Sequence, residues 1–324
     1  MTAERTPVLV DCDTGVDDAM ALLYLLHHPA VEVVGITSVF GNNTAARCAH
    51  NSLRVLELMG RTDIPVAVGA ENPLVGEVTY LATHVHGNDG LGDSGLPLEV
   101  STPLSTLTAV ELIDELSRQY AGRLRVLAVG PLTNIAHALD AIPDLTERVV
   151  DIVIMGGAAD VAGNQSPAAE ANIIHDPEAA RAVLGAEWPS TLVPLDVTMT
   201  EIITEDHRAR LSASKAPAAH FVAAVSDFYF GGYGFDSFGV RCSPCHDAVA
   251  AGVLTGDVVP TVFPRIGVEV DCTEGPGRGA TICDTRGRYR GFPDQDDARC
   301  RVALVTDGSF PDRLVAMLTG AASL

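Results

Sequence analysis

Positive charge is scarce in this chain of 324 residues. It carries 21 Lys and Arg against 42 Asp and Glu, a formal net charge of −21, and Lys215 is the sole lysine. Such a surface repels nucleic acid and anionic membrane, which removes both from the expected partners. Long apolar runs are absent too. No segment approaches the roughly 18 to 20 uninterrupted apolar residues of a membrane span, and no basic, apolar, small-residue leader opens the chain. Seven cysteines are scattered at 12, 48, 242, 245, 272, 283 and 300. An odd number in a long chain argues against a secreted disulfide framework, so the expected compartment is the cytoplasm. Cys242-Ser-Pro-Cys245 lacks a second pair at zinc-site spacing and reads as incidental.

Negative charge, by contrast, is concentrated. Val10-Asp11-Cys12-Asp13-Thr14-Gly15-Val16-Asp17-Asp18-Ala19 packs four carboxylates into eight residues. Residues 7–12 read as a strand and 17–28 as a helix whose apolar side is Leu22, Leu23, Leu25 and Leu26. Asp13, Asp17 and Asp18 therefore converge at the carboxyl end of a strand, where open α/β sheets place ligands. Carboxylates this close raise one another's pKa or share a cation. Oxygen-only ligation favours a hard ion, calcium or magnesium, over zinc. A helix N-terminus also attracts acidic residues. That accounts for Asp17 and Asp18 but not for Asp11 and Asp13.

Apolar or β-branched runs at 7–12, 31–39, 65–69, 124–129, 150–155 and 191–196 alternate with helical patterns at 17–28, 44–59, 105–121, 132–141 and 176–185. This alternation predicts an α/β fold with an open, mostly parallel central sheet flanked by helices. Residues 266–305, with the turn Gly275-Pro-Gly-Arg-Gly279, suggest a small antiparallel edge near the C-terminus, and 310–320 a closing helix. Without repeats or linkers, 1–324 reads as a single domain. Phe40-Gly41-Asn42, Gly130-Pro131-Leu132-Thr133-Asn134 and Met155-Gly156-Gly157 each follow a strand and fall on one edge of the sheet. Asn164, Glu170 and Asn172 bring polar side chains to a small, apolar stretch. His246 and Asp247 open an alanine-rich helix.

In order along nearly the whole chain, Asp11-Cys-Asp-Thr-Gly-Val-Asp-Asp18, Phe40-Gly-Asn42, Gly130-Pro-Leu-Thr-Asn134, Met155-Gly-Gly157, Glu170-Ala-Asn-Ile-Ile-His-Asp-Pro177 and His246-Asp247 resemble the nucleoside hydrolases. These are the calcium-dependent, inosine-uridine-preferring nucleoside N-ribohydrolases. The resemblance implies Ca2+ bound by Asp13, Asp18, Asp247 and the backbone carbonyl of Val129. It implies that Asp17, Asn42, Asn164, Glu170 and Asn172 hold the ribose hydroxyls and the 5′-OH. His86 would lie near the ribose or base, the alternative being a solvated loop histidine. Tyr229 and Tyr233, at helical i,i+4 spacing, would stack on the nucleobase or else pack in the core. Gly231, Gly232 and Gly234 suggest that this stretch is a mobile flap. Val129 stands where threonine is usual, and Thr14 where proline is common. Neither change removes a ligand.

N-glycoside cleavage passes through an oxocarbenium-like state, so carboxylates beneath the ribose stabilise developing charge. The implied calcium holds the ribose diol and a water together, Asp13 is the general base, and His246 the leaving-group acid. The expected protein is a cytoplasmic homo-oligomer, a dimer or tetramer, acting on a small-molecule ribonucleoside. Two rival readings remain. Asp11-Cys-Asp13-Thr14 also resembles the nucleophile motif of haloacid dehalogenase-type phosphatases, but Lys215 has no motif around it. A non-catalytic riboside- or calcium-binding protein is the other, although the EF-hand pattern fails at Val16.

Overall fold

The computed structural model describes residues 4–321, so the expected domain 1–324 runs past the described residues at both ends. Its strands are β1 (Thr6–Cys12), β2 (Val31–Ser38), β3 (Val66–Val68), β4 (Leu124–Ala128), β5 (Val149–Met155), β6 (Ser190–Val193), β7 (Ile202–Thr204), β8 (Cys242–Pro244), β9 (Val268–Val270), β10 (Thr281–Cys283) and β11 (Cys300–Val302). Seven of them form one sheet in the order β11-β6-β5-β4-β1-β2-β3. All its pairings are parallel. Strands after β1 proceed outward on one side and strands after β4 on the other. The order therefore reverses between β1 and β4, and a crevice opens at their carboxyl ends. Asp13 leaves β1 there and Val129 leaves β4, joined by the Val129 N–H donating to the Asp11 carbonyl at 2.9 Å.

Local chemistry sets the element boundaries. The helix expected over 105–121 starts only at Ala109, because Thr108 and Glu111 form a reciprocal cap. Thr44 caps helix Ala45–Leu58, and Asp176 caps helix Pro177–Leu184. The strand expected over 191–196 ends at Val193, where Pro194 leads into a helical turn, Leu195–Thr198. In the tail, β9 and β10 pair antiparallel as expected. Cys300–Val302 does not join them; it extends the parallel sheet beside β6. The antiparallel pair β7–β8 left no periodic signal in so few residues.

Helix Val16–His27 is buried on all sides through Leu25 rather than along one stripe. It packs against strand β2 and against helices His246–Thr255 and Phe310–Thr319. Each fully buried leucine there contributes about 1.5–3 kcal/mol. That rigid backing matters because the first turn of this helix carries Asp17 and Asp18, and the first turn of His246–Thr255 carries Asp247. Among the described residues, no helix is long and apolar enough to cross a membrane.

Candidate active site

The crevice is built on backbone N–H groups aimed at carboxylates. Asp18 accepts from the N–H of Gly15 at 2.8 Å and of Asp13 at 3.2 Å, closing the turn that starts its own helix. Asn42 then ties the second strand's loop to the first. Its N–H donates to Asp13 Oδ2 at 2.7 Å and its side-chain amide to Asp18 Oδ2 at 3.1 Å. Gly41 permits that approach. Its φ is +150°, and a Cβ there would lie 2.2 Å from Asp13 Oδ2.

Carboxylate oxygens of Asp17, Asp18 and Asp247 come within 4.8 Å of one another, all buried. Asp13 Oδ1 and Asp17 Oδ1 are buried without a hydrogen-bond partner. Burial raises the pKa of each of these four aspartates. The charge of Asp18 raises those of Asp13 and Asp17 further, and that of Asp17 raises Asp247. Asp17 is pushed up to about 8. No lysine or arginine lines the cavity. Crowded acids, free oxygens and no cationic side chain fit a bound cation that supplies the missing charge. The Val129 carbonyl faces the same cavity and already accepts from the Asn172 amide at 2.9 Å.

The cavity gathers Asp13, Asp17, Asn42, His86, Val129, Asn164, Glu170, Asn172, Tyr229, Tyr233, His246 and Asp247. Asp18 is the one expected site residue that does not line it, lying just beneath. Glu170 is a helix cap: its carboxylate accepts from the N–H groups of Gly157, Asn172 and Ile173. Asn164 likewise accepts from Ala171 N–H at 3.0 Å. His86 is buried, not solvated, and its Nδ1 accepts from the Val16 N–H at 3.1 Å. Burial, then the nearby His246, lowers its pKa to about 3. The loop beyond His86 is clamped by buried Arg54, which donates to Asp89 at 2.9 Å and to the Leu96 and Pro97 carbonyls.

Tyr229 and Tyr233 do share a face and stack, with ring centroids 5.4 Å apart. The glycines between them do not interrupt the helical path. Phe230–Gly234 forms a π-helical turn between helices Pro217–Tyr229 and Phe235–Phe238. Gly234 is needed there because a Cβ would strike the Cys242 carbonyl. The Tyr233 hydroxyl lies 3.2 Å from His246 Nε2, and the Thr198 hydroxyl 2.8 Å from its Nδ1. Burial lowers the His246 pKa to about 3, so the ring is neutral near pH 7 rather than titrating there.

Sequence reasoning missed Tyr80, His84, Gln165 and His175, which also line the cavity. His175 stood inside a quoted motif, but only the fold turns it inward. Cys242 and Cys245 are both buried and free.

Asp11 decides against the phosphatase reading. It is fully buried outside the cavity, and its Oδ1 accepts from Thr37 at 2.6 Å and Asn134 at 2.8 Å. A nucleophile must reach substrate; Asp11 instead braces the strand end that presents Asp13. Asp11→Asn is expected to slow ribose release by no more than about 100-fold, the range for groups behind a site. Complete loss in a folded variant would restore Asp11 as a reacting group.

Together these features define an α/β protein with a carboxylate-lined small-molecule site at its switch point. A family model described as "Inosine-uridine preferring nucleoside hydrolase" matches residues 8–310. The chain is 40% identical over 280 residues to the pyrimidine-specific ribonucleoside hydrolase RihA of Citrobacter koseri, covering 86% of this chain and 88% of that one. It is 35% identical over 285 residues to the probable uridine nucleosidase 2 of Arabidopsis thaliana, covering 88% and 85%. The solved plant nucleoside hydrolase PpNRh1 superposes with a TM-score of 0.88 at 29% identity, over 97% of this chain and 99% of that one. The purine-preferring ribonucleoside hydrolase from Gardnerella vaginalis gives 0.87 at 29%, over 98% and 99%. The chain belongs to the inosine-uridine preferring nucleoside hydrolase family. It is accordingly an N-glycosyl hydrolase that cleaves ribonucleosides to ribose and free base, and its cluster of Asp17, Asp18 and Asp247 could hold a metal ion.

Proposed function

We propose that this single-domain protein is a cytoplasmic, homo-oligomeric, calcium-dependent ribonucleoside hydrolase, with uridine its best common substrate. Asp13, Asp18, Asp247 and the Val129 carbonyl are the expected Ca2+ ligands, and Asp17 stands close enough to share the ion or the ribose. The observation that carries this reading is the pair of buried, unpartnered oxygens, Asp13 Oδ1 and Asp17 Oδ1, in a nest with no cationic side chain. When bound, the ion supplies charge neutralisation and orients the ribose diol and a water. Asp13 Oδ1, free of protein partners, takes the proton from the attacking water. Asp17 faces the ribose and stabilises positive charge as the N-glycosidic bond lengthens. Asn42 and Asn172 hold the carboxylates and the Val129 carbonyl in place. Tyr229 and Tyr233 offer a stacked face to the base, and His246 donates a hydrogen bond to it as it leaves. Relatives named for uridine or pyrimidines share 35% and 40% identity, whereas solved structures named for purines or for inosine and guanosine share 29% and 27%. This favours uridine.

The deciding experiment measures ribose release from uridine, cytidine, inosine and adenosine before and after treatment with a strong chelator. The expected result is release led by uridine, lost on chelation and restored by calcium. Release from none of the four would overturn the hydrolase reading; release indifferent to metal removal would overturn the calcium assignment. Metal removal should also leave a pH signature. A folded aspartate with a raised pKa stabilises the fold below its unfolded value, and that contribution is lost as pH rises through the folded value. For Asp17 the window runs from 3.8 to about 8. The chelated protein should therefore melt progressively lower as pH rises through this window, while calcium flattens the profile.

A further inference from the structure

The turn after β6 reaches the site from outside. Pro194 ends the strand and starts a single helical turn, Leu195–Thr198, which packs against helix His246–Thr255. Thr198 is fully buried and does not line the cavity, whereas His246, at the start of the facing helix, does. The two meet at 2.8 Å, Thr198 Oγ1 to His246 Nδ1, and this hydroxyl has no other hydrogen-bond partner among the described residues. Met199, the next residue, reaches the far end of the same ring through Tyr233. The Tyr233 hydroxyl donates to Met199 Sδ at 3.7 Å and lies 3.2 Å from His246 Nε2.

These hydrogen bonds run in one direction. A neutral imidazole holds one N–H and one lone pair. A thioether holds no proton, so the Tyr233 O–H is engaged with Met199 and its oxygen is free to accept from His246 Nε2. The Thr198 hydroxyl then donates to Nδ1. Each link is satisfied: Thr198 O–H to Nδ1, Nε2–H to Tyr233, Tyr233 O–H to Met199. With the proton on Nδ1 instead, the Thr198 hydroxyl would accept from the ring. Its own proton would then be buried without an acceptor, the costly state for a polar group. The sulfur is a weak acceptor and could release Tyr233 to donate to Nε2, so Thr198 decides the direction.

We propose that Thr198 is a positioning residue for departure of the base: by donating to His246 Nδ1 it keeps the ring's N–H on Nε2, the nitrogen turned to Tyr233 and the cavity. This rests on the proposed role of His246. A departing uracil gathers negative charge and needs a hydrogen-bond donor. A ring protonated on Nδ1 would meet that charge with a lone pair and repel it. Thr198 stands outside the cavity, so it acts on the reaction only through the ring. Its hydroxyl carries this role and its methyl group fills space. Serine keeps the first, and valine keeps the shape without the donor.

The test measures kcat and KM for uridine and p-nitrophenyl riboside in calcium-loaded wild type, Thr198→Val, Thr198→Ser and His246→Ala. It also reads the His246 tautomer from the solid-state nitrogen NMR spectrum of isotope-labelled histidine, assigned by difference from His246→Ala. The wild type should carry the proton on Nε2. Thr198→Val should lower kcat on uridine by about tenfold, part of the about 10²- to 10⁴-fold that proton donation contributes, with KM little changed. It should slow p-nitrophenyl riboside by less than about twofold, because that leaving group needs no donor. Its His246 signals should shift toward the Nδ1–H form. Thr198→Ser should keep the wild-type tautomer and most of the uridine rate. No loss, or equal losses on the two substrates, in Thr198→Val would reduce Thr198 to packing. A wild-type ring protonated on Nδ1 would make its hydroxyl an acceptor. Either result overturns the proposal. If Thr198→Val does not fold, the wild-type and Thr198→Ser spectra decide: a proton on Nδ1 refutes it. Equal losses on both substrates in His246→Ala are a different result, which refutes the role of His246 and the proposal with it. A selective His246→Ala beside an unselective Thr198→Val refutes the proposal alone.

Discussion

Asp13→Ala is expected to lose at least about a thousandfold in kcat on uridine while the protein remains folded. General base catalysis alone contributes about 10²- to 10⁴-fold, and the same side chain is an expected metal ligand. The two losses can be separated. Asp13→Asn retains a neutral oxygen where the cation would sit, so it should bind calcium more tightly than Asp13→Ala, yet it cannot take a proton. If the base role is correct, Asn and Ala variants saturated with calcium are about equally slow. If Asp13 is only a ligand, the Asn variant recovers most of the rate at high calcium. Stability provides an independent reading. Asp13 is buried against Asp18 and Asp17, both of which raise its pKa after burial does. Removing one of these crowded acids relieves repulsion in the chelated protein. Chelated Asp13→Ala should therefore melt no lower than chelated wild type near pH 8, whereas a purely structural aspartate would show a drop.

That Asp13 could be singled out before the fold was known follows from how local its surroundings are. Asp13, Gly15 and Asp18 form one turn, with bonds spanning five residues or fewer. The strand before it and the helix after it are read from composition and period. Other features depend on distant partners. Helix Val16–His27 reads as amphipathic, but packing against β2 and against helices His246–Thr255 and Phe310–Thr319 buries it on every side. Gly231 and Gly232 read as weakening the helix because their low helix propensity is a local quantity. Packing of Gly234 against the Cys242 carbonyl holds the π-turn instead. Cys300–Val302 joins the parallel sheet through Ser190, more than a hundred residues earlier, and no periodicity in three residues can report that. His175 and Tyr80 follow the same rule. Their ring contact joins two stretches far apart in the chain, so this side of the cavity was invisible while the carboxylate side was not.

The second large effect concerns the leaving base. His246→Ala is expected to slow uridine by about 10²- to 10⁴-fold while slowing p-nitrophenyl riboside by less than about tenfold. The p-nitrophenolate departs without a proton, so only a leaving group that needs protonation or a hydrogen bond feels the loss. The structure refines what His246 can do. With its pKa lowered to about 3 by burial, the free-enzyme ring is neutral near pH 7 and holds a single N–H. If Thr198 donates to Nδ1, that N–H is on Nε2, facing the Tyr233 hydroxyl. His246 then acts by donating a hydrogen bond, directly or through Tyr233, and not as a stored imidazolium. Two consequences separate these roles. A neutral donor gives a uridine rate with no downward limb near the ordinary histidine value of 6.5, whereas an imidazolium acid gives one. Tyr233→Phe breaks a relay and should reproduce part of the His246→Ala selectivity between the two substrates, whereas direct donation leaves that selectivity intact. Equal losses on both substrates in His246→Ala would mean that the ring only braces Asp247, its neighbour on the first turn of helix His246–Thr255.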